Sequence, residues 1–81
     1  MNVPVRLFSR ARDLAGADRV AVALPDGATV ADLRRALAAA HPRLADLVGR
    51  CAVAVAAEFA SETDVLPPDA EIALLPPVSG G

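Results

Sequence analysis

Eighty-one residues, 54% of them hydrophobic, suffice for one domain with one packed core and exclude a disordered chain. The net charge is −2 and only two residues are aromatic, so the composition excludes the basic, aromatic-rich face typical of nucleic-acid binders. The single cysteine excludes an intrachain disulfide and favours a reducing compartment. With neither a leader sequence nor an apolar run of about 18 residues, we expect a cytoplasmic protein without membrane contact.

Two strands and one long helix are predicted in the first half of the chain. Apolar alternation predicts strands over residues 3–8 and 19–24, joined by a helical turn that ends at Gly16 and paired antiparallel. Thr29 and Asp32 have the spacing of a capping box. The residues that then repeat at helical spacing are Val30, Leu33, Leu37 and Ala40. We therefore predict a main helix from Val30 to about Ala40.

Short apolar runs separated by turn residues predict the remaining strands. After a further helical turn around Leu47, residues 52–56 have the pattern of a strand, 58–61 of a short return strand and 71–75 of the last strand. One sheet on one helix is an α+β two-layer arrangement, and a helix that crosses between strands favours a parallel pairing. The sequence therefore predicts a mixed sheet of four to five strands packed on one main helix.

Three apolar residues are predicted outside the core. By strand parity Phe8 and Leu75 lie on the outer face of the sheet. The face of Phe59 depends on whether a turn at Ala56-Ala57 changes its parity. If the three are contiguous, they form a patch suited to docking a partner.

The last six residues, 76–81, are predicted to be an extended tail beyond a domain of residues 1–75. Pro76 and Pro77 fix φ and remove backbone donors, so they end the sheet and project a stiff segment. Gly80 and Gly81 lack Cβ atoms and make the thinnest chain that a polypeptide allows. Such a tail fits a narrow channel in another protein and delivers a terminal carboxyl group there. The alternative is an ordinary disordered terminus.

Catalytic and ligand-binding constellations are absent from the sequence. His41 is the only histidine and is expected to face solvent or to lie at a helix C-terminus; Cys51 is expected to be a small buried hydrophobic residue. One histidine and one cysteine supply neither a serine triad nor a zinc or iron–sulfur site. We therefore predict no metal and no cofactor bound by this chain.

The motifs at both ends of the chain resemble the ubiquitin-like sulfur carriers, which have a β-grasp fold, and among them the small subunits of molybdopterin synthase. The resemblance is most specific over residues 66–81, where an apolar strand leads to Pro76-Pro77-Val78-Ser79-Gly80-Gly81. Residues 5–16 and 29–33 are similar to the family's opening strand and helix starts. Two turns differ: Ala56 stands where the family often has Asn, and Pro68-Asp69-Ala70 where it usually has Gly-Asp or Asp-Gly.

The resemblance implies a carrier rather than an enzyme in its own right. An activating enzyme that uses ATP would adenylate the Gly81 carboxylate, and a sulfur donor would convert it to a thiocarboxylate. The large catalytic subunit of molybdopterin synthase would take in the tail, with Pro76, Pro77, Val78, Ser79 and Gly80 in its channel, and the sulfur would pass to a pterin precursor. On this interpretation ATP is bound by the partner, and neither nucleic acid nor a membrane takes part.

Three alternatives stay open at the level of the sequence. A sibling carrier would supply sulfur to thiamine or cysteine synthesis, although Pro76-Pro77-Val78-Ser79 favours the molybdopterin branch. A ubiquitin-like modifier would attach Gly81 to lysines of other proteins, and the lack of lysine here prevents only chains of itself. A plain interaction domain would have no use for the two glycines.

Overall fold

Residues 1–77, the part of the chain that the computed structural model describes, form a five-stranded mixed sheet with helices on one face. In chain order the elements are β1 Asn2–Leu7, α1 Ser9–Ala15, β2 Arg19–Ala23, α2 Val30–Ala40, a 3-10 turn Pro42–Leu44, α3 Ala45–Val48, β3 Ala52–Val55, β4 Glu58–Phe59 and β5 Ile72–Leu75. The predicted bounds of α2 are confirmed. The first predicted strand is displaced by one residue, and the other four predicted strands are one or two residues too long.

The last strand of the chain lies in the middle of the sheet. The strand order is β2-β1-β5-β3-β4, with β1 and β5 parallel and the other neighbours antiparallel. Leu74 pairs with Leu7 of β1 on one side and with Val53 of β3 on the other. The predicted antiparallel pairing of the first two strands and the predicted mixed sheet are both confirmed.

The core lies between the sheet and α2. Strand alternation sends Val5, Leu7 and Leu74 to the inner face, where each is at most 2% exposed. Leu33 and Leu37 of α2 meet them and are fully buried. Burial of each such side chain stabilises the fold by roughly 1.5–3 kcal/mol. The sheet therefore has one face committed to the core and the other free for contacts outside the domain.

The start of α2 is fixed by a capping box. The backbone N–H of Thr29 donates to Asp32 Oδ2 at 2.9 Å, and the N–H of Asp32 donates to Thr29 Oγ1 at 3.3 Å. The Thr29 N–H contributes most to holding the pKa of the Asp32 carboxyl below its usual range. The N–H groups of Val30 and Ala31 donate to the carbonyls of Asp64 and Glu62 at 3.0 and 3.1 Å, which anchors the loop before β5 on the helix.

Arg34 of α2 joins three parts of the chain. Its side chain is 19% exposed. One guanidinium nitrogen donates to the carbonyls of Val48 and Cys51, both at 2.7 Å, and Nε donates to the Glu62 carboxylate. Arg34 therefore satisfies carbonyls where α3 ends and β3 begins.

Candidate docking face and tail base

Two paired alanines, Ala54 and Ala73, lie at the centre of the outer face of the sheet and are called the alanine floor below. Cross-strand partners place Arg6 opposite Ala73, Ala73 opposite Ala54, and Ala54 opposite Phe59. Directly paired residues point to the same face, so these four side chains form one row across β1, β5, β3 and β4. Because alanine projects so little, a partner can approach the backbone of the middle strands closely.

The β3–β4 turn decides which face Phe59 occupies. Ala56 and Ala57 both have positive φ, at 51° and 68°, as a two-residue hairpin turn of the primed type requires. The turn makes Val55 the partner of Glu58 and therefore places Phe59 with Ala54 on the outer face. Phe59 is 78% exposed.

Leu75 and Phe8 lie on the same face, nearer the tail. Leu75 pairs with Ala52 of β3 and is two residues beyond Ala73, so it points outward. Phe8 follows β1 in an extended conformation, with φ −129° and ψ 154°, and continues the alternation. Both are half-buried. The three predicted residues therefore share the outer face; their contact with a partner stays a prediction.

Arg6 organises the polar border of this face. It donates to Glu71 Oε1 at 3.0 Å, and its guanidinium carbon lies 5.4 Å from the centre of the Phe8 ring. Both members of the ion pair are exposed, so the pair contributes little to stability. Its effect is to hold charge beside the apolar face, where it can orient a docking partner.

The tail leaves the sheet at the end where Phe8 follows β1. β5 runs parallel to β1 and ends at Leu75, after which Pro76 is half-buried and Pro77 is exposed. The prediction for Val78, Ser79, Gly80 and Gly81 lies outside the described residues. What the structure gives is the base of the tail, at the end of β5 next to Phe8.

Cys51 and His41 are the two residues whose side chains are chemically most reactive, and neither lies at the docking face. Cys51 is 3% exposed and lies in the core, as predicted, and burial raises the pKa of its thiol. His41 lies at the C-terminus of α2, the second of its two predicted positions, and its backbone N–H donates to the Leu37 carbonyl at 2.8 Å. His41 is half-buried, and its Nε2 lacks a hydrogen-bond partner among residues 1–77. Those residues hold no group of three metal-ligating side chains.

Sequence reasoning missed one exposed apolar residue. Val65 is 59% exposed and lies close to Phe59 in a shallow groove. The available signal was the apolar pair Val65-Leu66 within a stretch otherwise made of polar and turn residues. Leu66 is buried, at 2% exposure, and Val65 points the other way.

Comparison with known proteins assigns the chain to a family. Residues 5–81 match the ThiS family, so the match spans the sheet, α2 and the Gly80-Gly81 end. The chain belongs to the ThiS family. This confirms the resemblance to sulfur carriers that the motifs at the two ends of the sequence indicate.

Curated relatives in this family share one name. The chain is 35% identical over 83 residues to the molybdopterin synthase sulfur carrier subunit of Chlamydomonas reinhardtii, with all of both chains covered. It is 32% identical over 83 residues to the human protein of the same name, covering 99% of this chain and 94% of that one. These similarities support the assignment of this chain as a molybdopterin synthase sulfur carrier subunit.

Solved structures show the same β-grasp architecture. SAMP1 of Haloferax volcanii has a TM-score of 0.86 and 31% identity, with both chains fully covered. A chain from the complex of subunits 1 and 2 of the molybdopterin-converting factor of Helicobacter pylori has a TM-score of 0.68 and 27% identity, and both chains are again fully covered. The ubiquitin-like fold predicted from the sequence is thus confirmed. Among residues 1–77, no helix has both the length and the apolar character to span a membrane.

Proposed function

We propose that this protein is the sulfur carrier subunit of a molybdopterin synthase and that its working group is the carboxyl carbon of Gly81. The observation that carries the proposal is the end-to-end similarity to proteins of that name. The family match continues through Gly81 and therefore includes the group to which sulfur would be attached.

The proposed chemistry begins by making a poor electrophile reactive. In an activating enzyme, a Gly81 carboxylate oxygen attacks the α-phosphorus of ATP, and pyrophosphate leaves. A sulfide equivalent from a donor attacks the resulting acyl adenylate at carbon, and the carbon–oxygen bond to AMP breaks as a carbon–sulfur bond forms. The product is a thiocarboxylate. Its sulfur passes to a pterin precursor in the large subunit, and water restores the carboxylate.

The carrier contributes position rather than acid–base groups in this scheme. Among residues 1–77 no polar or charged residue is fully buried, and Cys51 lies in the core with a raised pKa. We propose that ATP and the catalytic side chains belong to the partners. The H. pylori complex of subunits 1 and 2 supports a large-subunit partner.

The outer face is the surface we propose for these partners. Leu75 and Phe8 flank the base of the tail, and Phe59 lies across the alanine floor at Ala54 and Ala73. A partner seated there would receive the tail at a fixed distance from β5. Pro76 and Pro77 would keep that segment extended on its way into the active site.

A second candidate is a protein modifier. It is favoured by the similarity to SAMP1 of H. volcanii, the small archaeal modifier protein 1. Here the activated Gly81 would meet a lysine amine of another protein and form an isopeptide. A sulfur carrier for thiamine or cysteine synthesis remains a third candidate, since the family is named ThiS.

One experiment separates these candidates. Purified protein is incubated with activating enzyme, ATP and a sulfur donor, and its intact mass is measured. Replacement of one oxygen by sulfur is the expected result, and an unchanged mass would contradict every carrier proposal. Stable adducts with other proteins would instead support the modifier.

A second stage identifies the carrier branch. The thiocarboxylate form is mixed with purified large subunit and the pterin precursor, and the dithiolene product is assayed. Formation of product with return of the carrier to its original mass is expected. A thiocarboxylate that survives this mixture would contradict the molybdopterin assignment and leave the other branches.

A further inference from the structure

One edge of the sheet is open at β4, and its backbone geometry suits strand addition. Val55 and Glu58 pair across the two-residue turn, and the N–H of Ala60 donates to the Val53 carbonyl at 2.9 Å. In an antiparallel pair the residue between two such pairs turns its own N–H and C=O away from the neighbouring strand. Phe59 is that residue, so both of its backbone groups face the open edge.

The two large hydrophobic side chains that are exposed within residues 1–77 both lie at the β4 edge. Phe59 is 78% and Val65 is 59% exposed, and they are the two large hydrophobic residues that residues 1–77 leave uncovered. Together with Val55 and Pro67 they line a shallow groove along β4. Apolar side chains beside unpaired strand groups are the combination that binds extended peptides.

The charge around the groove is negative. Glu58 and Asp64 line it, and neither makes an ion pair within residues 1–77, whereas Glu62 nearby is paired with Arg34. After Arg50 the sequence contains five acidic residues and no arginine, lysine or histidine. No basic side chain from that part of the chain neutralises the groove.

We propose that the β4 edge docks an extended segment of a partner protein in which aliphatic side chains alternate with arginine or lysine. The segment pairs with the backbone of Phe59. Its aliphatic side chains pack on the Phe59 ring, and its basic side chains, on the opposite side, lie against Glu58 and Asp64 beside Val65. Alternation of the two residue types follows from the alternation of side chains along a strand.

This surface shares Phe59 with the outer face proposed for sulfur transfer, but it is centred on the β3–β4 hairpin and not on the base of the tail. The hairpin tip lies at the start of β5, where the N–H of Ala56 donates to the Glu71 carbonyl at 2.9 Å, whereas the tail leaves from the other end after Leu75. The docking proposal does not rest on the chemistry of Gly81. A segment bound at β4 would leave the base of the tail accessible.

The test uses short labelled peptides and the full-length protein. The probe alternates valine and arginine; one control replaces arginine with glutamate, and another replaces the central valine with proline, which cannot complete a strand. Fluorescence anisotropy of the labelled peptide gives the dissociation constants. Changes in the backbone amide NMR chemical shifts of isotope-labelled protein locate the site. We expect the basic peptide to bind at least about fivefold tighter than either control and to weaken with salt.

Two variants and a matched control sharpen the result. Glu58→Gln and Val65→Thr should each weaken the basic peptide by about two- to fivefold, with shifts centred on Phe59 and Val65. Asp13→Asn makes the same change in net charge on exposed α1 and should leave affinity unchanged.

Several outcomes would overturn the proposal. Equal affinity for the basic and acidic peptides would remove the charge argument, and shifts at β2 or around Ala73 would move the site. Self-association of the protein without peptide, with shifts at Phe59, would make a second copy the occupant instead.

Discussion

Arg34 and Glu62 are 28 residues apart in the chain, yet Arg34 Nε lies 2.9 and 2.8 Å from the two carboxylate oxygens of Glu62. The same guanidinium reaches the carbonyls of Val48 and Cys51. One side chain of α2 thus ties the loop before β5 to the junction between α3 and β3.

Replacing Arg34 is expected to destabilise the domain although it lies outside the core. Arg34→Ala removes charge-assisted hydrogen bonds to two carbonyls and to Glu62, and leaves the Val48 carbonyl with only the longer bond from the Cys51 N–H at 3.3 Å, so the free energy of unfolding should fall by about 2–3 kcal/mol in urea titrations. Arg35→Ala is the control. Its side chain is 73% exposed and pairs only with Asp32, so a change within about 0.5 kcal/mol is expected. Equal effects of the two variants would contradict the role assigned to Arg34.

The β3–β4 turn is a site where a single substitution should stabilise the protein. Ala57 has φ 68°, a region that disfavours residues with a Cβ. Ala57→Gly should raise the free energy of unfolding by about 0.5 kcal/mol, since relief of strain exceeds the added entropy of the unfolded chain. Asn at position 56, where φ is 51°, should act in the same direction.

The control for the turn is the same change in a helix. Ala39 is exposed in α2, and Ala39→Gly should lower the free energy of unfolding by about 1 kcal/mol. Thermal and urea unfolding of the two glycine variants should therefore move in opposite directions. A loss of stability on Ala57→Gly would be incompatible with the left-handed turn.

The capping box predicts a pH dependence. The pKa of Asp32 is lowered, chiefly by the N–H of Thr29, so its stabilising charge is present at neutral pH and is lost as pH falls through that pKa. Asp32→Asn keeps an acceptor oxygen but removes the charge. The variant should unfold more easily than the original protein at neutral pH, and the difference should vanish in acid. A difference independent of pH would assign the effect to packing.

Leu75 tests the docking face. It is half-buried on the outer face, so Leu75→Asp should weaken binding of the purified large subunit at least about tenfold while lowering the free energy of unfolding by only about 1 kcal/mol. Ala21→Asp places the same charge on β2, on the same face but away from the tail, and should bind as the original does. Calorimetric titration gives both dissociation constants. An unchanged constant for Leu75→Asp would remove this residue from the interface.

Deleting Gly81 tests the working group. The core residues within 1–77 end at Leu74, so the midpoint of thermal unfolding should shift by less than about 1 °C, whereas thiocarboxylate formation should be lost. Ser79→Ala, which keeps the carboxyl group at the same distance from β5, should still be converted in the mass assay. Loss of folding on deletion would contradict an arm outside the domain.

Local signals made parts of this fold predictable from the sequence. The capping box of Thr29 and Asp32 and the helical spacing of Leu33 and Leu37 depend on residues within one or two turns, so the sequence alone predicts the observed bounds of α2. Strand parity likewise placed Leu75 on the outer face, because alternation needs no knowledge of the neighbouring strand.

Features that depend on distant partners could not be predicted. The role of Arg34 depends on carbonyls at Val48 and Cys51, which its helical spacing does not reveal. The face of Phe59 depends on two alanines adopting positive φ, which alanine disfavours and the sequence therefore hides. The groove at Val65 forms only when its loop pairs with the start of α2, which brings Val65 beside Phe59.

The position of β5 has a consequence for the protein's synthesis. β1 and β3 do not pair with each other; each pairs with β5, the last strand in the order of residues 1–77. A nascent chain therefore cannot close its sheet until β5 has been synthesised. A chain that stops before β5 would leave β1 and β3 without their common partner, and its sheet could not form.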